Sequence, residues 1–211
     1  MDDKKEIINY VNEREIEFCV HFTNVTNLPS ILQLGILPKS TMDNEWIEYN
    51  ENDSLRLDGY MGAISVSFTS PNYKMFYKYR IQNPSKRWAV LVLDAQAIIT
   101  LDCAFCFTNA ASKRITSIPL SKLKDLKALK QMFAETNAFY SRKRMGLESN
   151  EPTDPQAEIL VFDEIPSSAI KFIIFNDNSL MQQYKPILEQ KDIPYGCDVG
   201  PFTPRHDYSF W

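Results

Sequence analysis

A single α+β domain, with helices flanking a mixed or antiparallel β-sheet, is the fold this sequence predicts, and three observations predict it. Apolar runs with strand periodicity recur from residue 17 to residue 175, interspersed with segments whose apolar residues keep helical spacing. No repeat, low-complexity stretch or linker divides the 211 residues, so the domain is expected to span 1–211. A hydrophobic content of 44% supplies one substantial core.

Taken in order, Ile7, Ile8 and Val11 keep helical spacing among charged residues and predict an N-terminal helix within 1–16. Residues 17–23 read as a strand. A turn and short helix follow from Asn24 to Gly35, with Thr26 or Asn27 as cap, Pro29 in the first turn and Gly35 as the stop. Residues 38–58 are polar and acidic without periodicity and predict a long loop anchored by Trp46 and Tyr49; a loop of that length in a compact domain is often functional. Residues 63–68 alternate as a strand does, and Pro71-Asn72-Tyr73 opens a helix to about Arg80. Residues 88–94 are apolar enough for a central strand, and 103–107 form another.

Residues 108–120 read as a loop. Ser121 is expected to cap a basic helix with Leu123, Leu126, Leu129 and Phe133 on one face, and 142–155 to be mobile and exposed. Strands at 157–162 and 170–175, a helix over 179–190 and a short segment ending in Tyr208-Ser209-Phe210-Trp211 complete the reading. The stretches 38–62 and 108–155 are expected to line a cleft.

Composition narrows the class of function. No run of about 18 apolar residues exists, which excludes a membrane-spanning helix. Met1-Asp2-Asp3-Lys4-Lys5-Glu6 lacks the apolar core of a signal peptide, so the expected compartment is the cytoplasm, where Cys19, Cys103, Cys106 and Cys197 stay reduced. Cys103 and Cys106 have C-x-x-C spacing but no second pair, and neither His21 nor His206 stands at metal-ligand spacing. Buried strand thiols and no metal are the expectation.

The net charge of -4 conceals an asymmetry. Between Pro71 and Arg144 lie 14 Lys and Arg against four acids, a local excess of +10, while the remainder carries -14. A solvated helix face accounts for such a stretch; so does a polyanion-binding surface, and interleaved aromatics favour the second. Lys74, Lys78, Arg80, Lys113, Arg114, Arg142, Lys143 and Arg144 are the candidate nucleic-acid contacts. Tyr73, Phe76, Tyr77, Phe139 and Tyr140 are candidate stacking platforms or, equally, core aromatics.

Candidate chemistry gathers at three places. His21 lies inside an apolar strand, where a lone histidine is more often a core residue than a catalytic one. Thr23 shares its strand face, however, and Asn27 follows at a helix start that favours anionic ligands. Arg56 and Asp58 flank Leu57; they make either a surface ion pair or, through Arg56, a fork-shaped clamp for an oxyanion. Glu158 stands at the entrance of an apolar strand behind the turn Pro152-Thr153-Asp154-Pro155, where a carboxylate needs a structural or a chemical reason to be buried. Glycine-rich phosphate loops, the G-x-S-x-G elbow and H-E-x-x-H are all absent from the sequence.

Several segments together resemble the DarT-type ADP-ribosyltransferase toxins: His21 to Leu32 with Gly35-Ile36-Leu37, Arg56-Leu57-Asp58, Ser67 to Tyr77, Phe107-Thr108-Asn109-Ala110-Ala111, and Gln156 to Val161. Each is a weak signal, but their order matches over most of 18–175. The resemblance implies a central split β-sheet with an NAD cleft and metal-free transfer of ADP-ribose from NAD onto a base of single-stranded DNA. It also implies a macrodomain-type antitoxin, an ADP-ribosylglycohydrolase that removes the modification, and a toxin acting as a monomer in phage defence. His21 and Thr23 would hold the ribose and nicotinamide side, Asn27 would contact NAD, Arg56 would act near the diphosphate and the reaction centre, and Glu158 would be the catalytic carboxylate, with Asp154 ranked second.

One departure matters. Some thymidine-modifying members carry a His in the loop after the Phe-Thr pair, where this chain has Asn109-Ala110-Ala111-Ser112, which leaves guanosine or an RNA base open beside thymidine. Two other readings use the same residues: transfer of ADP-ribose to protein, and a non-catalytic nucleic-acid-binding module in which Glu158 is held in an ion pair.

Overall fold

The computed structural model describes residues 2–44, 59–60, 62–135 and 141–211. Its frame is a seven-stranded sheet of β1 (Phe18–Asn24), β2 (Ile64–Phe68), β3 (Trp88–Asp94), β4 (Cys103–Cys106), β5 (Glu158–Val161), β6 (Ile170–Phe175) and β7 (Tyr195–Cys197). The strands lie in the order β4-β5-β2-β1-β3-β6-β7. Every neighbouring pair is antiparallel except β6 with β7. The α+β expectation with a mixed sheet therefore holds.

The chain fills the larger face of this sheet with apolar side chains. Cys19, Val66, Phe68, Leu91, Leu93, Ile159 and Val161 pack against helices α1 (Asp2–Glu13), α2 (Leu28–Leu34), α5 (Ala95–Ile99), α7 (Leu126–Met132) and α9 (Asn178–Gln190) through Val11, Leu32, Ile98, Leu129 and Leu188. On the other face, Ala104, Cys106 and Leu160 meet Ile115 and Leu123 at one end. At the other end Val20, Trp88 and Val90 meet Phe202 and Phe76, the latter from α4 (Tyr73–Gln82). Three short helices, α3 (Lys39–Asn44), α6 (Lys113–Thr116) and α8 (Arg142–Met145), are the others among the described residues.

Gly35 ends α2 with φ 88, and a Cβ there would come within 2.4 Å of the Ile165 carbonyl oxygen, so only glycine lets the chain pass. The Ile36–Ile165 bridge follows at once and ties α2 to the segment between β5 and β6.

Several elements differ from the sequence reading. A helix, α3, opens the stretch expected to be loop, and α6 interrupts 108–120. Asp125, not Ser121, caps the basic helix: its Oδ1 accepts from the Ala128 amide at 2.8 Å, while Ser121 sits in a separate 3-10 turn. Asn27 stands at the N-cap position of α2, as expected, but its side chain makes no cap hydrogen bond there; Asn24 caps the preceding 3-10 turn by accepting from the Thr26 amide at 3.0 Å. The largest correction concerns 142–155, expected to be mobile and exposed: it begins with α8, and Pro152, Thr153, Asp154 and Pro155 are buried. Helix α5 and edge strand β7 are the additions. Trp46, Tyr49, Phe139 and Tyr140 lie outside the described residues.

Candidate active site

The two edges of β1 are paired unequally. Against β3 all seven residues are in register, from Phe18↔Asp94 to Asn24↔Trp88. Against β2 only Cys19↔Phe68 and Val20↔Ser67 pair, and there the ladder stops. His21, the next residue, bridges the parting with its side chain: Nδ1 lies 2.9 Å from the Ser65 carbonyl oxygen. A carbonyl can only accept, so Nδ1 carries the proton and Nε2 is the ring's acceptor. His21 keeps partial exposure, yet the protein around its ring disfavours the imidazolium; burial lowers its pKa, against the smaller opposing effect of the Ser65 carbonyl.

Two residues along the same strand face, Thr23 is 2% exposed and its hydroxyl accepts from Asn27 Nδ2 at 3.1 Å. Asn27 stands at the start of α2, without capping it, and its carbonyl accepts from the Ser30 hydroxyl at 2.9 Å. His21, Thr23 and Asn27 thus form one polar strip beside the parting.

Across β2 lies β5, in register through Ser65↔Leu160 and Val66↔Ile159. Glu158 opens that strand at 2% exposure. Its Oε1 accepts from Asn72 Nδ2 at 2.8 Å and from Asn109 Nδ2 at 3.4 Å, and Oε2 accepts from the Ala110 amide at 3.0 Å. Three N–H donors aimed at a buried carboxylate offset its lost hydration and fix its plane. Asn72, itself 1% exposed, also caps α4 by accepting from the Met75 amide at 3.2 Å. One amide side chain therefore ties the helix start to the carboxylate.

Between β2 and α4 the backbone is strained. Thr69 has φ 58, an outlier for a β-branched residue, and its buried hydroxyl oxygen lacks a hydrogen-bond partner among the described residues. Such a conformation costs about 1–3 kcal/mol and persists where surrounding structure enforces it, often at functional sites. Sequence reasoning missed Asn72, Asn109 and Thr69 as parts of this site. The signal for the first was Pro71-Asn72-Tyr73, an N-cap pattern taken as a helix start only.

The other candidates fall as follows. Asp154 is spent on its own turn, where Oδ1 accepts from the Gln156 amide at 2.8 Å. Arg56 and Asp58 lie outside the described residues. Lys78, Lys113, Arg114, Lys143 and Arg144 are exposed, and Lys74 is half-buried. Arg80 and Arg142 are turned inward: Arg80 donates to the Phe202 carbonyl at 2.6 Å, and Arg142 to the Glu151 carbonyl at 2.7 Å and the Thr153 hydroxyl at 3.0 Å. Phe76 is core at 1% exposure, whereas Tyr77 is 56% exposed. Cys19, Cys103 and Cys106 are buried; burial pushes the Cys103 thiol up to about 12, and it donates to the Ile98 carbonyl. No group of three metal-ligating side chains occurs among the described residues.

The site is thus a sheet parted beside its middle strand, with a polar strip on one side and a buried, hydrogen-bonded Glu two strands away. The family model described as "ssDNA thymidine ADP-ribosyltransferase, DarT" matches residues 20–199, and the chain belongs to that family. Solved structures agree on the fold. Thermus sp. 2.9 DarT in complex with NAD+ superposes with a TM-score of 0.56 at 17% identity, covering 90% of this chain and 98% of that one. The same protein in complex with ADP-ribosylated ssDNA gives 0.53 at 17%, covering 90% and 97%. Thermosipho africanus DarTG in complex with ADP-ribose gives 0.61 at 18% and covers 88% of this chain, which spans 51% of the DarTG chain. A comparison with curated proteins finds no match.

Proposed function

We propose that this protein transfers ADP-ribose from NAD to a base of single-stranded DNA, with Glu158 as the catalytic carboxylate. The observation that carries the proposal is the Glu158 carboxylate, buried and held by Asn72, Asn109 and the Ala110 amide at the end of the parted sheet. Glu158 lies inside the sheet, opposite Cys106 of β4, so its carboxylate is held by side-chain and backbone donors in place of water. Family membership supplies the reaction class.

The chemistry suits the residues. NAD brings a glycosidic bond whose electron pair departs with nicotinamide, so positive charge develops on the ribose. Glu158 holds a fixed negative charge to stabilise it. A base nitrogen then bonds to the anomeric carbon and gives up its proton, for which Glu158 is the acceptor. His21, Thr23 and Asn27 orient the dinucleotide along the parting, and Arg56 clamps its diphosphate. Half-buried Lys74 and exposed Lys78, Lys113, Arg114, Lys143 and Arg144, with Tyr77 as a stacking platform, form the track for the strand. Arg80 and Arg142 drop out of that track because their guanidinium groups are engaged internally. A macrodomain-type ADP-ribosylglycohydrolase that reverses the modification completes the proposal.

Incubation with NAD and defined DNA and RNA oligonucleotides, followed by mass analysis, tests it. The expected result is the mass of one ADP-ribose on a base of single-stranded DNA, with release of nicotinamide. Labelling of protein alone, or none, would overturn the proposal.

A further inference from the structure

The turn that delivers Glu158 into its strand is buried, and a buried turn must find donors for its carbonyls. Arg205 supplies them. At 7% exposure, its Nη1 donates to the Pro152 carbonyl at 2.7 Å and its Nη2 to the Thr153 carbonyl at 3.3 Å. The same guanidinium forms a two-pronged pair with fully buried Asp207, Nε and Nη2 each 2.7 Å from a carboxylate oxygen. Trp211 Nε1 completes the group by donating to Asp207 at 2.9 Å. Burial acts to raise the Asp207 pKa, but Arg205 and Trp211 together bring it below its ordinary value, so the pair stays ionised.

From there the linkage to the carboxylate is short. Thr153 donates its own amide to the Met132 carbonyl at 2.8 Å, and the Ala157 amide closes the turn onto the Asp154 carbonyl at 3.0 Å. Glu158 is the next residue. Arg205, Asp207 and Trp211 all lie beyond residue 199, where the family match ends.

We infer that Arg205, locked by Asp207 and Trp211, is a positioning residue for catalysis: it fixes the Pro152–Thr153 turn and through it the placement of Glu158. This rests on the proposed transferase reading. Arg205 touches no reacting atom, so its loss should lower kcat and leave the KM for NAD unchanged.

The test uses the full chain in three forms: parent, Arg205→Lys, and the paired variant Arg205→Met with Asp207→Leu. The pair replaces two buried charges with apolar side chains of similar size, so no unpaired charge is left buried and folding can be read apart from positioning by the melting temperature. Nicotinamide release and amide hydrogen exchange are measured on each. The paired variant leaves no buried charge unpaired but orphans the Pro152 and Thr153 carbonyls, so it is expected to remain folded with a melting temperature lower by about 5–10 °C, lose about 10- to 100-fold in kcat with the KM for NAD unchanged, and lose exchange protection at residues 153–158. Arg205→Lys, with one point charge in place of the fork, is expected to fall between the two. Unchanged kcat or unchanged protection in the paired variant overturns the inference while the parent's turnover leaves the transferase reading standing. A parent that releases no nicotinamide overturns the reading itself and the catalytic role of Arg205 with it.

Discussion

The two edges of β1 carry the same strand into opposite uses. Along β3 it is zipped over seven residue pairs, with Ala89, Val90, Leu91 and Leu93 fully buried behind it. Along β2 the pairing ends after two, and polar side chains take over: His21 reaches Ser65, and Thr23 turns to Asn27. One edge supplies rigidity and the other an opening. The lesson is that the strand can leave one edge unpaired because the other is complete; side chains on a rigid strand hold their geometry better than side chains on a loop.

Variants of the open edge should therefore change turnover or binding far more than stability. Glu158 itself aside, the largest effect is expected at Asn72, which joins α4 to Glu158. Asn72→Ala removes one of the carboxylate's donors and should lower kcat by about 10- to 100-fold. It also removes a helix cap worth about 1 kcal/mol, a fall of about 2–4 °C in melting temperature for a chain of this size. Initial rates of nicotinamide release and a thermal scan measure both, and an unchanged kcat would detach Asn72 from the chemistry.

Thr23→Val comes second. It keeps the shape and deletes the hydroxyl, so it should raise the KM for NAD by about 5- to 10-fold with kcat near the parent value, the pattern of lost uniform binding. A fall in kcat with KM unchanged would place Thr23 at the reacting bond instead.

The smallest effect concerns His21 and pH. Burial lowers its pKa, so the folded protein holds the neutral ring while the unfolded chain takes up a proton at the ordinary histidine value. The unfolded state binds more protons in that window, so stability rises with pH across it and is lost on acidification from the ordinary value down to the folded one. Denaturation midpoints at about pH 7.5 and 5.5 should fall further for the parent than for His21→Gln. Equal falls would mean that His21 titrates in the folded state as it does in the unfolded one.

Much of this contrast was legible in the sequence. The first six residues of β3, Trp88 to Leu93, are continuously apolar, as a central strand requires, and Asp94 marks its end, so the sequence predicts the bounds that the structure shows. His21, Thr23 and Glu158 stood out because each is a polar side chain inside an apolar run. Short elements were harder. Three-residue β7 has no room for a period, and the cap of α5, Asp94, is also the last residue of β3. The inward turn of 152–155 was illegible for a different reason. A run of Pro, Thr and Asp reads as exposed loop, and only Arg205, some 50 residues later in sequence, supplies the donors that let its carbonyls be buried. Long-range pairing of this kind leaves no local pattern.

The proposed transfer depends on the Glu158 carboxylate. Parent and Glu158→Gln, which keeps the side chain's size and replaces its charge, are each incubated with NAD and a single-stranded DNA oligonucleotide, and the products are weighed. The prediction is one ADP-ribose on a base with the parent and a loss of at least about 100-fold in the variant, with its melting temperature close to the parent's. Equal labelling by the two proteins would contradict it.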